Sequence, residues 1–156
     1  MSFASDIARF GRKAIDRNFA DLKQNVGIAL FSAVINASPV GNPDLWKSQQ
    51  GKGMKSRTGP VGYVGGRFRA NWNCHVGSAN RTTTENVDPT GSIAIANVVS
   101  ECSGATASQS LFLTNSLPYS IKLEYEGHSS QAPQGMVRLN VARFRKIIKK
   151  ELAKYR

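Results

Sequence analysis

A chain of 156 residues suffices for one domain with a single hydrophobic core, able to remove roughly two-thirds of its unfolded surface from water. Its 21 Lys and Arg against 10 Asp and Glu leave a net charge of +11, which points to anionic or acidic partners and says nothing about fold. Cys74 and Cys102, the only cysteines, are too few and too distant for a disulfide framework or zinc site and are expected as buried thiols.

The first residues, Met-Ser-Phe-Ala-Ser-Asp, lack the basic patch and apolar run of a secretory signal. The longest apolar run, Val26 to Ala37, is too short and too interrupted to cross a bilayer, so a soluble protein made in a cytoplasm is expected. From Phe3 to Ala37 the apolar residues Phe3, Ile7, Phe10, Ala14, Phe19, Leu22, Val26, Ala29, Ala33 and Ala37 recur mostly at steps of three and four, the pattern of one helical face. Gly11 offers a place for a short first helix to turn into a longer second one. Beyond Val26 the additional apolar residues Ile28, Leu30, Phe31, Val34 and Ile35 predict a helix covered on more than one side. Ser38-Pro39 ends it, because proline lacks a backbone donor and the residue before it avoids helical angles.

The next stretch, Val40 to Gly66, holds half of the 14 glycines and shows no period, the composition of a loop. A connection of that length is far beyond the usual half dozen or so residues, and such loops are usually functional or disordered. Within it Leu45, Trp46, Lys47, Lys52, Lys55 and Arg57 are the candidate partner contacts, Trp46 being either an exposed anchor or tucked against the sheet.

Arg67 to Val76 alternates, with Phe68, Ala70, Trp72, Cys74 and Val76 on one face and Arg67, Arg69, Asn71, Asn73 and His75 on the other, predicting a strand covered on one face. Asp88-Pro89 can cap and open a helix over Pro89 to Ser103, supported by Ile93, Ala96, Val99 and Cys102 at steps of three, although Ile93 and Ile95 fit a strand equally. Leu111 to Thr114 reads as a short strand, Pro118 to Tyr125 as a strand or helical turn, and Gly127 to Gly135 as loop. After Gly135, Val137, Val141, Phe144, Ile148, Leu152 and Tyr155 predict a terminal helix whose first turn also alternates like a strand.

That terminal segment carries eight cations and one acid from Met136 onward. Arg143, Arg145, Lys146, Lys149 and Lys150 form a stripe suited to phosphates of DNA or to an acidic partner, although cations near a helix C-terminus also complement its dipole. Catalytic signatures are lacking: His75 and His128 stand in unlike contexts, and Gly51-Lys52-Gly53-Met54-Lys55-Ser56 lacks the spacing of a phosphate loop. Asp16 and Asp21 read as surface positions, and Glu124 and Glu126 have no third convergent acid. Glu124 is expected to be structural, for instance paired with an arginine on the sheet. No catalytic, cofactor-binding or metal-binding residue is assigned.

Four segments carry a resemblance. They are Ser38-Pro39-Val40-Gly41-Asn42-Pro43-Asp44-Leu45-Trp46-Lys47-Ser48, Gly62-Tyr63-Val64-Gly65-Gly66-Arg67-Phe68-Arg69-Ala70-Asn71-Trp72, Thr114-Asn115-Ser116-Leu117-Pro118-Tyr119 through Leu123-Glu124, and Gln131-Ala132-Pro133-Gln134-Gly135-Met136-Val137-Arg138. In that order they resemble the tail-completion (neck) protein family of tailed bacteriophages.

The resemblance implies one α+β domain over residues 1–156, with a long N-terminal helix packed on a small antiparallel sheet, a basic C-terminal helix and a long loop at 41–66. It implies a structural virion protein rather than an enzyme. Such a subunit forms a homo-oligomeric ring, commonly a hexamer, between the head connector and the tail, and is made in the host cytoplasm. The expected partners are further copies of the chain, adjacent connector and tail proteins and, non-specifically, packaged DNA; no membrane and no small-molecule substrate is expected. Shorter family members lack some twenty residues found here, including Gln49 to Pro60. A tail terminator and a free-standing nucleic-acid-binding protein are the alternatives, the latter disfavoured because Phe144 and Tyr155 fall on the apolar helical face rather than among the cations.

Overall fold

The computed structural model describes residues 3–42 and 63–155, with side chains described from residue 18 and through residue 154. The element order is α1 (Phe3–Ala37), α2 (Arg67–Ala70), β1 (Asn73–Val76), α3 (Ser92–Ser103), β2 (Leu111–Thr114), α4 (Ser120–Tyr125), α5 (Val137–Ala142) and α6 (Phe144–Leu152), followed by a 3₁₀ turn, Ala153–Tyr155. The architecture is α+β: the C-terminal half of α1 packs on α3 and beside a two-stranded antiparallel sheet, while α5 and α6 return to lie against α1. In the sheet Asn73 faces Thr114, Cys74 faces Leu113, His75 faces Phe112 and Val76 faces Leu111.

Helix α1 runs unbroken through Gly11, where a turn between two helices was an alternative. Its deepest row is Gly27, Val34 and Ile35, continued by Ser38 just past its end, with Ile28 and Phe31 packed beside it. These residues all stood outside the row expected at steps of three and four, and Phe19, placed on that row, is exposed. Gly27 sits where Leu111 and the Cys102 sulfur come closest, so the sheet and α3 both press on the helix there. Lys23 fixes the far side of that contact: its ammonium donates to the carbonyls of Thr106 at 3.0 Å, Ala107 at 3.2 Å and Gln109. Gln24 Nε2 adds a bond to the Ala105 carbonyl at 2.7 Å.

The strand expected over Arg67 to Val76 is two elements. Gly66, at φ +112°, takes a left-handed turn that a side chain would resist, and Arg67–Ala70 then forms one helical turn before β1 begins at Asn73. Phe68 and Trp72 nevertheless share a face, because residues four apart align in a helix as they do in a strand. Their rings meet edge to face at 5.8 Å, and Tyr119 approaches Phe68 at 5.9 Å. Asn71, expected on the open face, is buried and accepts from Thr84 N–H at 2.8 Å while donating to the carbonyls of Arg67 and Thr84. His75 also departs from an open face, since its Nδ1 is enclosed without a hydrogen-bond partner among the described residues.

Helix α3 starts three residues after Pro89. Gly91 is its left-handed cap, and the buried Asp88 carboxylate accepts the N–H groups of Ile93 at 2.8 Å and Ala94 at 3.0 Å, two of the donors that a helix start leaves free. Its buried row is Ala94, Val98 and Cys102, spaced by four, whereas Ile93, Ala96 and Val99 of the expected apolar row face solvent. Cys74 and Cys102 are buried as expected, with sulfurs 4.0 Å apart. Contact with the Cys102 thiol, together with burial, pushes the Cys74 thiol far above its ordinary range and keeps it protonated.

The terminal helix is interrupted at Arg143, giving α5 and α6. Ile147 and Ile148 turn inward and Glu151 is buried in an ion pair with Lys154 at 2.5 Å, while Val141, Phe144 and Leu152 of the expected apolar face are exposed.

Candidate functional site

Segments scattered over about a hundred residues meet where α1 ends. The last carbonyls of a helix lack intrahelical partners, and Arg69 from α2 supplies them: its guanidinium donates to Asn36 O at 3.0 Å, Ser38 O at 2.9 Å and Pro89 O at 2.8 Å. The Ser38 hydroxyl donates back to Val34 O at 2.9 Å and accepts from Trp72 Nε1 at 2.8 Å. Asn115 Nδ2 donates to the Phe68 carbonyl at 2.9 Å, which ties the segment after β2 to α2. Gln131 pairs with the Val40 backbone in both directions, its Oε1 accepting from Val40 N–H at 3.1 Å and its Nε2 donating to Val40 O at 2.7 Å.

Glu124 organises the other side of this junction. Its carboxylate accepts the N–H groups of Met136 at 2.9 Å, Val137 at 3.0 Å and Arg138 at 2.8 Å, so a residue of α4 caps the start of α5. The Arg138 guanidinium lies 3.4 Å from the same carboxylate, bonds the Glu124 carbonyl and stacks over the Tyr125 ring at 4.9 Å from its centroid. Burial alone raises the carboxyl's pKa, but the three backbone N–H bonds and Arg138 outweigh it and hold Glu124 below its usual range. Glu124 is thus structural, as expected, with an arginine partner on a helix rather than on the sheet. Gly135 permits the arrangement: at φ +77°, any Cβ there would lie 2.4 Å from the Glu124 carbonyl oxygen.

These contacts wall a cleft of about 620 Å³ lined by Val40, Tyr63, Arg67, Tyr119, His128 and Gln131 among others. Burial pushes the Tyr119 phenol upward against the lowering influence of Arg67, so it stays neutral at physiological pH. Arg67 itself is taken up by an ion pair with Glu85. Among the described residues no three His, Cys, Asp or Glu side chains are arranged to hold a metal ion. No described helix is long and apolar enough to cross a membrane.

Of the residues singled out from sequence, Leu45, Trp46, Lys47, Lys52, Lys55 and Arg57 lie outside the described residues. The flanks Asn42 and Tyr63 both line the cleft. Arg143, Arg145, Lys146, Lys149 and Lys150 are all exposed, and none forms an ion pair among the described residues. Phe144 stands partly exposed beside them at 38% rather than on a closed apolar face. Sequence reasoning missed the capping roles of Arg69, Gln131 and Asn115; their only signal was membership of the four segments that carry the resemblance. Comparison with protein-family models, with curated proteins and with solved structures finds no match to this chain.

Proposed function

We propose that this chain is a structural subunit of the neck of a tailed bacteriophage, assembling as a ring, sixfold in symmetry, that joins the head connector to the tail around the DNA channel. One observation carries the reading. The four segments behind the resemblance bond one another at a single junction, mostly by a side chain of one to the backbone of another: Ser38 with Trp72 and Arg69, Val40 with Gln131, Phe68 with Asn115, and Glu124 with Met136 to Arg138. A likeness of chance words would have no reason to fall on mutually contacting residues, whereas a likeness of fold would. The chain's work in this reading is done by shape and charge, with no catalytic residue, cofactor or small-molecule substrate.

The exposed cations of α6 suit a subunit that faces either DNA or an acidic neighbouring ring. Virion localisation and assembly in the host cytoplasm follow from the same reading. The test is complementation. A phage carrying a disrupted copy of this gene should accumulate filled heads and finished tails that do not join, and purified protein added to that lysate should restore plaques. Joined, infectious particles made without the protein would reject the proposal.

Phe144, exposed among the cations, favours a second reading as a nucleic-acid-binding protein that acts alone, since an aromatic ring there can stack on bases. That reading requires tight single-strand binding by the isolated monomer, lowered by F144A.

A further inference from the structure

Cys74 and Cys102 are the only cysteines of the chain, and the fold brings them together from 28 positions apart, with their sulfurs 4.0 Å from one another. At that separation no other atom fits between them. Neighbouring bonds hold the two elements in register: the backbone N–H of Cys74 donates to Asn97 Oδ1 at 3.0 Å, and that of Val76 donates to Glu101 Oε2 at 3.2 Å. Asn97 and Glu101 are one turn apart on α3, so β1 is tied to the helix at two points beside the pair. Both cysteines are enclosed, Cys74 2% and Cys102 0% exposed, and neither thiol serves the junction at the end of α1.

We propose that this pair is a redox-sensitive lock: a small-molecule disulfide such as glutathione disulfide oxidises Cys74 and Cys102 to an internal disulfide that fastens α3 to β1. The bonded sulfurs of a disulfide lie about 2 Å apart, so closure asks for an approach of about 2 Å, the scale of a side-chain rotation rather than of a rearranged backbone. The oxidant reaches the enclosed pair only when α3 lifts from β1, and the rate therefore follows local opening. Cys102 attacks first, because the Cys74 S–H, donating to its thiolate, lowers its pKa against burial and Glu101, whereas Cys74 is held protonated. The Cys102 thiolate takes one sulfur of the oxidant; that S–S bond breaks, a mixed disulfide forms on Cys102 and one glutathione leaves as a thiolate. Cys74 then gives its proton to solvent and attacks the Cys102 sulfur, releasing the second glutathione. Two protein thiols are oxidised, and one glutathione disulfide is reduced to two thiols. Closing the loop between the two residues restricts the unfolded chain, which makes the oxidised form the more stable. The pairing does not depend on the neck reading, although on that reading the protein leaves a reducing cytoplasm for surroundings in which disulfides persist.

The test incubates the purified full-length chain, fully reduced at the outset, with glutathione disulfide in native buffer and follows its intact mass under non-reducing conditions. A parallel sample receives N-ethylmaleimide, whose reaction with the same thiols times how often the site opens. The expected result is loss of two hydrogens per chain, a peptide linking Cys74 to Cys102, reversal by dithiothreitol, and a Tm higher by roughly 5–10 °C in the oxidised form. C74S should gather a glutathione adduct on Cys102 sooner than C102S gathers one on Cys74; alanine replaces serine if either variant does not fold. Thiols alkylated in the parallel sample yet left unlinked by the oxidant would overturn the lock, as would thiols that neither reagent reaches, stable glutathione adducts in place of the link, or an oxidised form that melts no higher than the reduced one. An adduct arriving sooner on Cys74 would overturn the order of attack. Because the experiment uses the free chain, its failure leaves the neck reading untouched, and failed complementation leaves the thiol pair untouched.

Discussion

Replacing Glu124 by glutamine keeps its shape and removes its charge, so the three backbone donors and Arg138 lose an anionic acceptor while little volume changes. Bonds to charged groups contribute about 1.5–3 kcal/mol, and a stability loss of about that size is expected for E124Q by urea denaturation. The pH dependence has a definite sign. The folded pKa lies below the unfolded one, so the stabilisation is full above the ordinary carboxylate pKa and is lost as pH falls toward the folded value. E124Q should therefore flatten the acid limb of the stability curve; an acid limb unchanged from wild type would show that the carboxylate is not the group responsible. G135A should be damaging for a separate reason, a positive φ together with a clash against the Glu124 backbone, at about 1–3 kcal/mol.

Arg69 belongs to the scale of elements, since it joins the end of α1, the turn α2 and the segment leading into α3 through three carbonyls. R69M should lower stability by about 2–3 kcal/mol, and hydrogen exchange should find the last turn of α1 opening first; a loss spread evenly over the molecule would argue against that role. Period located α1 and α3 but not their buried sides, and it merged α2 with β1 and α5 with α6. The residues 67–76 alternate, yet Phe68 and Trp72 satisfy a helical turn equally well, and the positive φ of Gly66 decided the matter. In α3 the steps of three picked Ile93 and Val99, while burial follows Ala94, Val98 and Cys102, because small side chains let the helix approach α1 closely. Strand β2 was legible because a short hydrophobic run bounded by turns leaves few alternatives, whereas α3 was favoured over a strand by its Asp88-Pro89 start signal.

On the scale of the whole molecule, charge is the property that sequence announced and geometry refined. The cations of α6 stand exposed, as their spacing suggested, but the apolar row that was to anchor that helix is half in solvent. The junction at the end of α1 was not legible as a site, since its partners are separated by up to 91 positions and bond through side chains of no catalytic type. Neutralising Lys146, Lys149 and Lys150 to glutamine should make the salt dependence of duplex binding shallower by about 2–3 in log–log slope if α6 faces DNA. An unchanged slope with defective assembly would place an acidic protein opposite that helix instead. The most direct measurement of the central claim is electron microscopy of tailless heads before and after addition of the purified protein. A discrete ring of density seated on the connector is the expected result; heads that remain bare, with the protein free in solution, would contradict it.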